Sequence, residues 1–306
     1  MNIYQSFFSK PFLEPFENSF EVRKQGGYPL IRYFLYTMAL SACRLKDIYG
    51  NVTLVTDKKG KEILIDYCNI PFTSSILLFD DIYDLPSYLW AGGKIYFYTK
   101  IKKPFLHFDG DFILGSNFNK RKIVLNMEKG INVEFFYCDA QAKIYSNLLN
   151  KIYNSTEIKL KKDLKEFIKE ENFIMSYFNL GVIGSNNSQI INEIGQYSYD
   201  FMRENEHLNV SNIVSLDFYN FFAEQYLFYF NTKKANLKPI TYYHSLINDL
   251  SIDNFNQITP LMNVTEDFEC IHLANQLKLN YYKSTEKWLK HFYPKTFDHI
   301  NNALGL

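Results

Sequence analysis

The stretch Pro104-Phe-Leu-His-Phe-Asp-Gly-Asp-Phe-Ile-Leu114 is the most informative part of the chain, because an apolar run ends there in two carboxylates and then resumes. If the run is a strand, Asp109 and Asp111 point to the same side, since side chains two residues apart share a face. Two carboxylates on one cleft suit a hard cation such as Mn²⁺ or Mg²⁺, and that cation suits a diphosphate. The same letters also fit a hairpin turn at Asp-Gly.

Strand-like and helix-like segments alternate ahead of this stretch. Three β-branched or apolar runs predict strands, at residues 3–8, 52–56 and 75–79. Three segments with helical spacing of apolar residues predict helices, at residues 28–49, 59–67 and 85–100. This order is typical of a parallel sheet with helices on both faces, in which the opening stretch is the fourth strand. Ligands lie beyond the carboxyl ends of such strands, so the hairpin becomes the weaker interpretation of Asp109 and Asp111.

The rest of the chain continues the α/β pattern. Further strands are predicted at residues 122–126, 132–137, 176–184 and 239–243. Further helices are predicted at residues 140–153, 157–171, 189–206, 214–233 and 285–300, the last packed across the sheet. Glycine within a helix weakens it, so Gly92-Gly93 is expected to weaken the middle of the helix at 85–100.

Polar residues in apolar surroundings mark further candidates. Asn179 and Gly181 interrupt a strand, which indicates either a close approach of backbone or ligand, or a simple turn. Glu224 and Gln225 stand among aromatic residues, so they either face a polar cavity or form an ion pair with a nearby basic side chain. His272 ends an apolar run, and it can be a structural histidine or a metal ligand.

The composition excludes several classes of partner. With 306 residues and 47% hydrophobic content, the chain can bury a large core. Its 33 basic and 33 acidic residues give no net charge that would attract nucleic acid or an anionic membrane. The four cysteines are far apart, which favours a reducing compartment over a zinc or redox motif. The N-terminus lacks a secretory pattern and no apolar run is long enough to cross a bilayer, so a soluble cytoplasmic protein is expected.

Taken in order, Asp109-x-Asp111, Asn179-x-Gly181, Glu224-Gln225 and His272-x-x-Asn275-x-x-Lys278 resemble the motifs of GT-A fold glycosyltransferases, most closely the retaining glycogenin-like and lipopolysaccharide galactosyltransferase-like group. The chain also resembles an uncharacterised bacterial family of glycosyltransferase-like proteins. The matching residues there are Gly93-Lys94, the two aspartates, Asn179-Leu-Gly181 and Glu224-Gln-Tyr-Leu227.

The resemblance implies a hexosyltransferase with a single GT-A-like domain over residues 1–306. It would contain a nucleotide-binding half (1–115), a sugar and acceptor half (116–283) and a C-terminal helix (284–306), built on a mostly parallel sheet flanked by helices. The donor would be a UDP-sugar, transferred with retention to an acceptor that is a glycan, a peptide or a small molecule.

The resemblance also implies roles for single residues. Asp109, Asp111 and His272 would hold Mn²⁺ or Mg²⁺, with Asp109 also touching the ribose. Lys278 would bind the diphosphate, and Lys94 would lie over the nucleotide or sugar. The remaining implied residues are Asn179 and Gly181 beside the sugar and acceptor, and Glu224 and Gln225 against the donor-sugar hydroxyls or the anomeric face.

The last motif departs from the group's pattern at two places, and at one of them Leu279-Asn280 stands where the group has Pro-Trp after the lysine. Asn275 stands where the glycogenin-like proteins have glycine, which places a side chain next to the expected phosphate. This departure favours an alternative, a non-catalytic sugar-nucleotide-binding or partner protein of the same fold. A second alternative is a haloacid-dehalogenase-like phosphatase, whose nucleophile motif is also a strand that ends in Asp-x-Asp.

Overall fold

The computed structural model describes residues 1–14, 26–120, 131–136, 139–241, 264–265, 267–273 and 276–306. The predicted strand at 122–126, Cys138 and Asn275 lie outside these residues. The described strands are β1 (Asn2–Phe7), β2 (Thr53–Thr56), β3 (Ser74–Leu77), β4 (Phe105–Phe108), β5 (Phe112–Leu114), β6 (Ile131–Phe136), β7 (Tyr177–Ser185), β8 (Ile240–Thr241) and β9 (Cys270–His272).

The described α-helices are α1 (Lys10–Leu13), α2 (Ile31–Tyr49), α3 (Lys58–Lys61), α4 (Gly92–Lys100), α5 (Asp139–Asn154), α6 (Lys162–Glu170), α7 (Ser188–Asn205), α8 (Leu216–Phe221), α9 (Leu227–Lys234), α10 (Gln276–Phe292) and α11 (Pro294–Leu304). A π-helical segment, Phe222–Tyr226, joins α8 to α9, and a second, Glu62–Tyr67, follows α3. No described helix has both the length and the apolar character needed to span a membrane.

The central sheet has the strand order β3-β2-β1-β4-β7-β6-β8. Strands β3, β2, β1 and β4 are mutually parallel, which confirms the alternating pattern predicted for the first third of the chain. Strand β7 is antiparallel to both of its neighbours, β4 and β6, so the sheet is mostly rather than wholly parallel. Helices cover both faces, and the α/β fold class is as predicted.

A second, two-stranded sheet lies beyond the end of β4. Its strands β5 and β9 are antiparallel, with Phe112 opposite His272. The main chain turns at Asp109-Gly-Asp111, where the Phe112 amide donates to the Asp109 carbonyl at 3.0 Å. The turn does not make a hairpin, because β4 and β5 pair with different strands. The carboxylates therefore lie between two sheets.

Two predicted helices differ from the structure. The helix expected at 85–100 begins only at Gly92, so the two glycines form its first turn rather than its middle. The expected C-terminal helix is two helices, because Pro294 cannot continue α10 and instead begins α11.

The position predicted for the C-terminal helix was also wrong. The C-terminal pair packs on α2 and not across the sheet. Trp288, Leu289 and Ile300 are buried in one apolar cluster with Tyr36 and Leu40 of α2. Cys43 and Cys68 are buried free thiols, and Cys270 is buried in β9.

Candidate active site

The backbone groups of Asp109 and Asp111 form hydrogen bonds with three separate segments of the chain. The Asp109 amide donates to the Gly181 carbonyl of β7 at 2.8 Å, and the Gln5 side chain of β1 donates to the Asp109 carbonyl at 3.3 Å. The Leu273 amide donates to the Asp111 carbonyl at 3.0 Å, directly after β9. The positions of both carboxylates thus depend on the pairing of β4 with β7 and of β5 with β9.

His272 reaches the aspartates because it is the last residue of β9. Its Nε2 lies 3.3 Å from Oδ1 of Asp111. One ligand atom each of Asp109, Asp111 and His272 lie within 4.8 Å of one another. The structure therefore brings together the three side chains that the sequence predicted as metal ligands.

The Asp111 carboxylate lies beside two basic side chains, Lys278 and His272. Lys278 Nζ lies 2.8 Å from its Oδ2. Burial raises the pKa of the Asp111 carboxyl, but the charges of Lys278 and His272 lower it more, so the pKa lies well below its usual range. Its Oδ1 is buried and has no hydrogen bond among the described residues, despite its closeness to His272. A buried carboxylate oxygen without a hydrogen bond is costly in a dry site and favourable beside a cation.

Lys94 joins Asp109 to Glu224. Its Nζ lies 2.7 Å from Oδ1 of Asp109 and 2.7 Å from Oε1 of Glu224, and it donates to the Leu180 carbonyl at 2.7 Å. Burial lowers the pKa of Lys94, yet the two carboxylates raise it more, so it is held well above its usual range. The Leu180 carbonyl thus accepts a hydrogen bond from Lys94, and the two carboxylates form ion pairs with it. Glu224 is part of an ion pair, which was one of the two interpretations of its apolar surroundings.

The remaining predicted residues are Asn179, Gly181 and Gln225. Asn179 Oδ1 accepts from the Gly181 amide at 3.1 Å, so this side chain closes a local turn. Gly181 contributes its backbone, through the bond to Asp109 described above. Gln225 is half-buried in the π-helical segment, and among the described residues it is not part of the cavity lining formed by Glu224.

A cavity of about 230 Å³ opens beside these charges. Its charged end is formed by Lys94, Asp109, Asp111, Glu224 and Lys278. The lining also contains the aromatic side chains of Phe7, Phe8, Phe12, Tyr28 and Phe34, and the Tyr28 ring centroid lies 5.4 Å from Lys278 Nζ. The rings of Phe12 and Phe34 lie 4.8 Å apart, and those of Phe7 and Phe34 lie 5.3 Å apart. The cavity therefore combines flat apolar surfaces with a cluster of paired charges.

One pair at the cavity was not singled out from the sequence. Ser6 lines the cavity, and its Oγ lies 2.9 Å from Nε2 of the fully buried His107. Burial and the nearby Lys94 charge lower the pKa of His107 well below its usual range, so its imidazole is neutral at pH 7. The sequence did contain a signal for His107 in its spacing from Asp109. Residues two apart along an extended chain point to the same side, so His107 could be expected on the side of Asp109.

The side chains at the charged end fit a divalent cation. Two carboxylates and one imidazole are ligands that Mn²⁺ accepts, and carboxylates alone suit Mg²⁺. Oδ1 of Asp111 is buried without a hydrogen bond among the described residues and is available to a cation, whereas Oδ2 contacts Lys278. The donor set and this oxygen both agree with a metal at Asp109, Asp111 and His272.

The chain belongs to a family of unknown function (DUF6734), whose model matches residues 1–303. A comparison with curated proteins gives no match. Solved structures that resemble the chain include those of glycosyltransferases. The galactosyltransferase LgtC, solved in complex with donor and acceptor sugar analogues, is 9% identical with a TM-score of 0.37, over 72% of this chain and 69% of LgtC.

Two further structures show similar values. The bifunctional glycosyltransferase WbbM in its apo form is 9% identical with a TM-score of 0.45, over 97% of this chain and 51% of WbbM. Mouse xyloside xylosyltransferase 1, also in its apo form, is 10% identical with a TM-score of 0.41, over 89% of this chain and 96% of the mouse chain. At such low identity, the chemistry of this chain has to be argued from its own side chains.

Proposed function

We propose that this protein is a metal-dependent hexosyltransferase that takes its sugar from a nucleotide sugar, with a UDP-sugar as donor and retention at the anomeric carbon. The observation that carries the proposal is the convergence of Asp109, Asp111 and His272 beside Lys278, at a cavity that is also lined by aromatic rings. A nucleoside diphosphate matches this arrangement, because it joins a flat base to two phosphates. The choice of UDP and of retention follows the sequence resemblance.

In this proposal Asp109, Asp111 and His272 hold Mn²⁺ or Mg²⁺. The cation would stabilise the negative charge that develops on the departing diphosphate. Lys278 would stabilise the same negative charge on the diphosphate with its ammonium group. Among the described residues its Nζ contacts Asp111 and donates to the Gly26 carbonyl at 3.1 Å, which leaves one of its three protons for a phosphate oxygen.

Lys94 has a different task in this proposal. Because it forms ion pairs with Asp109 and Glu224 and donates to the Leu180 carbonyl, it orients these groups rather than binding the nucleotide directly. Glu224 faces the cavity and would contact donor-sugar hydroxyls or the anomeric face, with Gln225 beside it on the π-helical segment. Asn179 and Gly181 support the sugar and acceptor side through β7. Residues 1–115 would then form the nucleotide-binding half and 116–283 the sugar and acceptor half.

The test is turnover of UDP-sugars by the purified protein with Mn²⁺ and, in parallel, with EDTA. We expect slow release of UDP from at least one UDP-hexose without added acceptor, and no release in EDTA. Binding of UDP without turnover of any UDP-sugar across a wide set of acceptors would instead indicate the non-catalytic alternative. Hydrolysis of a generic aryl phosphate, without UDP binding, would indicate the phosphatase.

A further inference from the structure

Strand β7 has a bulge next to the candidate site. In the antiparallel pairing of β6 with β7, Val133 lies opposite Ile183, and the next residue of β6, Glu134, lies opposite Asn179. Residues 180–182 of β7 therefore lie opposite no residue of the described β6. On its other edge, β7 pairs with β4 in one unbroken register. Bulges bend a strand and redirect its groups, and they are frequent beside active sites.

The bulge presents two consecutive carbonyl groups to the candidate site. The Leu180 carbonyl accepts a hydrogen bond from Lys94 Nζ at 2.7 Å, and the Gly181 carbonyl accepts one from the Asp109 amide at 2.8 Å. Lys94 Nζ also lies 2.7 Å from Oδ1 of Asp109. One short piece of backbone therefore contacts both members of this ion pair, and Asp109 is one of the proposed metal ligands.

The side chain of Asn179 closes the bulge. Its Oδ1 accepts a hydrogen bond from the Gly181 amide at 3.1 Å. Gly181 is buried and lies in the part of β7 that has no counterpart in the described β6, so its amide needs an acceptor from elsewhere. Asparagine often bonds the amide two residues ahead and thereby stabilises a turn of the chain.

We infer that Asn179 is a positioning residue, which holds the peptide group between Leu180 and Gly181 and so directs the bulge toward Lys94 and Asp109. The Leu180 C=O and the Gly181 N–H belong to one planar trans peptide, so they point in opposite directions. Because Asn179 holds the N–H, the C=O is turned toward Lys94.

This role differs from a contact between Asn179 and the sugar, which the sequence resemblance implies. Among the described residues that line the cavity, Asn179 does not appear. The inference rests on the proposed function, because it makes Asn179 act on the cation site through Asp109. It predicts that loss of the Asn179 oxygen weakens every nucleotide ligand by the same factor.

The first test needs no ligand. Amide hydrogen exchange, followed by NMR, is compared for the wild type, Asn179→Leu and Asn179→Asp. Leucine has a similar size but no acceptor, whereas aspartate keeps the oxygen. We expect the Gly181 and Asp109 amides to exchange about tenfold faster in Asn179→Leu and at the wild-type rate in Asn179→Asp. Unchanged exchange of both amides in Asn179→Leu would overturn the inference.

The second test is calorimetric titration of UDP, UDP-glucose and UDP-galactose in Mn²⁺. Asn179→Leu should bind each ligand that the wild type binds about tenfold more weakly, and by one common factor, since the defect lies at Asp109 and Lys94. Asn179→Asp should bind them as the wild type does. If Asn179→Leu binds UDP normally, or loses affinity only for the sugar nucleotides, Asn179 is not a positioning residue.

The matched control is Asn187→Leu. Asn187 Oδ1 also accepts a backbone amide, that of Ile190 at 3.4 Å, but it does so at the start of α7. Loss of this cap should lower the melting temperature and leave UDP affinity unchanged. Equal weakening of UDP binding by Asn187→Leu and Asn179→Leu would reduce the effect to a general loss of stability and would contradict the inference.

Two further outcomes are covered. If circular dichroism shows that Asn179→Leu does not fold, Asn179→Ser takes its place, because a serine hydroxyl bonds the same amide more weakly and should shift exchange and affinity in the same direction. If the wild type binds no UDP, the proposed function fails, while the exchange rates still decide whether Asn179 holds the bulge against Asp109.

Discussion

At Lys94 the chain buries one ammonium between two carboxylates, with the side chain of Glu224 only 3% exposed. Replacing Lys94 by methionine keeps a long unbranched side chain but removes the ammonium. Glu224 then stays charged and buried without this ion pair. Removing one partner of a buried ion pair costs about 3 kcal/mol or more, so we expect a loss of this size in the free energy of unfolding. Urea unfolding followed by circular dichroism measures it.

The matched control for Lys94 is Lys61→Met. Lys61 also pairs with a carboxylate, at 2.8 Å from Asp66, but both side chains are exposed. Exposed pairs contribute little, so this variant should unfold close to the wild type. Equal effects of the two substitutions would show that Lys94 does not hold Glu224 in place.

At the scale of single residues, the sequence predicted which side chains would meet but not how they would pair. Asp109, Asp111 and His272 were predicted from their positions at strand ends, and the structure brings them together. Lys94 was predicted to lie over the nucleotide or sugar, but its partners come from Leu180 and Glu224, far along the chain. Hydrogen bonds of that kind follow from tertiary packing and leave no local pattern.

At the scale of elements, the start of α4 controls the aromatic lining of the cavity. A Cβ added at Gly93 would lie 2.7 Å from Cβ of Phe8, closer than two such atoms can approach. Alanine is otherwise the better helix former, by about 1 kcal/mol. We expect the clash to outweigh this gain, so Gly93→Ala should lower the free energy of unfolding by about 2 kcal/mol and weaken UDP binding.

The neighbouring Gly92→Ala is the matched control. Its added Cβ would lie 3.0 Å from the flexible end of Leu85, which can move aside. Its stability, measured in the same urea titration, should stay within about 1 kcal/mol of the wild type. A Gly93→Ala protein that is as stable as Gly92→Ala would mean that Phe8 is not held by this contact.

Element types were more predictable than their limits or directions. Apolar and β-branched runs predicted β1 to β4, although β4 is buried at every residue, β1 alternates between buried and half-buried residues, and β3 is mostly exposed. The direction of β7 could not be read in this way, since a buried strand has the same composition in parallel and antiparallel pairing. From the sequence, the glycines of α4 predicted a helix that is weakened in its middle. Their close packing against Phe8 could not be predicted, because this contact forms only in the folded chain.

At the scale of the whole molecule, the site is assembled from segments that are distant in sequence. The turn after β4, strand β7, the π-helical segment and the strand β9 all contribute, and α10 supplies Lys278. The order of the motifs predicted this assembly through the resemblance to a known class of enzyme. Asn275, one of the positions that depart from that class, lies outside the described residues, so its effect stays a prediction.

The central claim is that Asp109, Asp111 and His272 hold a cation through which a nucleotide diphosphate binds. The most direct measurement is calorimetric titration of UDP into wild type and Asp111→Asn, each in Mn²⁺ and in EDTA, with the exposed Asp66→Asn as control. Circular dichroism melting curves establish that each variant is folded.

We predict that wild type and Asp66→Asn bind UDP in Mn²⁺ and lose at least about tenfold in affinity in EDTA, equivalent to about 1.4 kcal/mol. Folded Asp111→Asn should bind UDP weakly and equally in both conditions. If Asp111→Asn binds UDP as tightly as the wild type, or if EDTA leaves wild-type binding unchanged, the metal site proposed here is wrong.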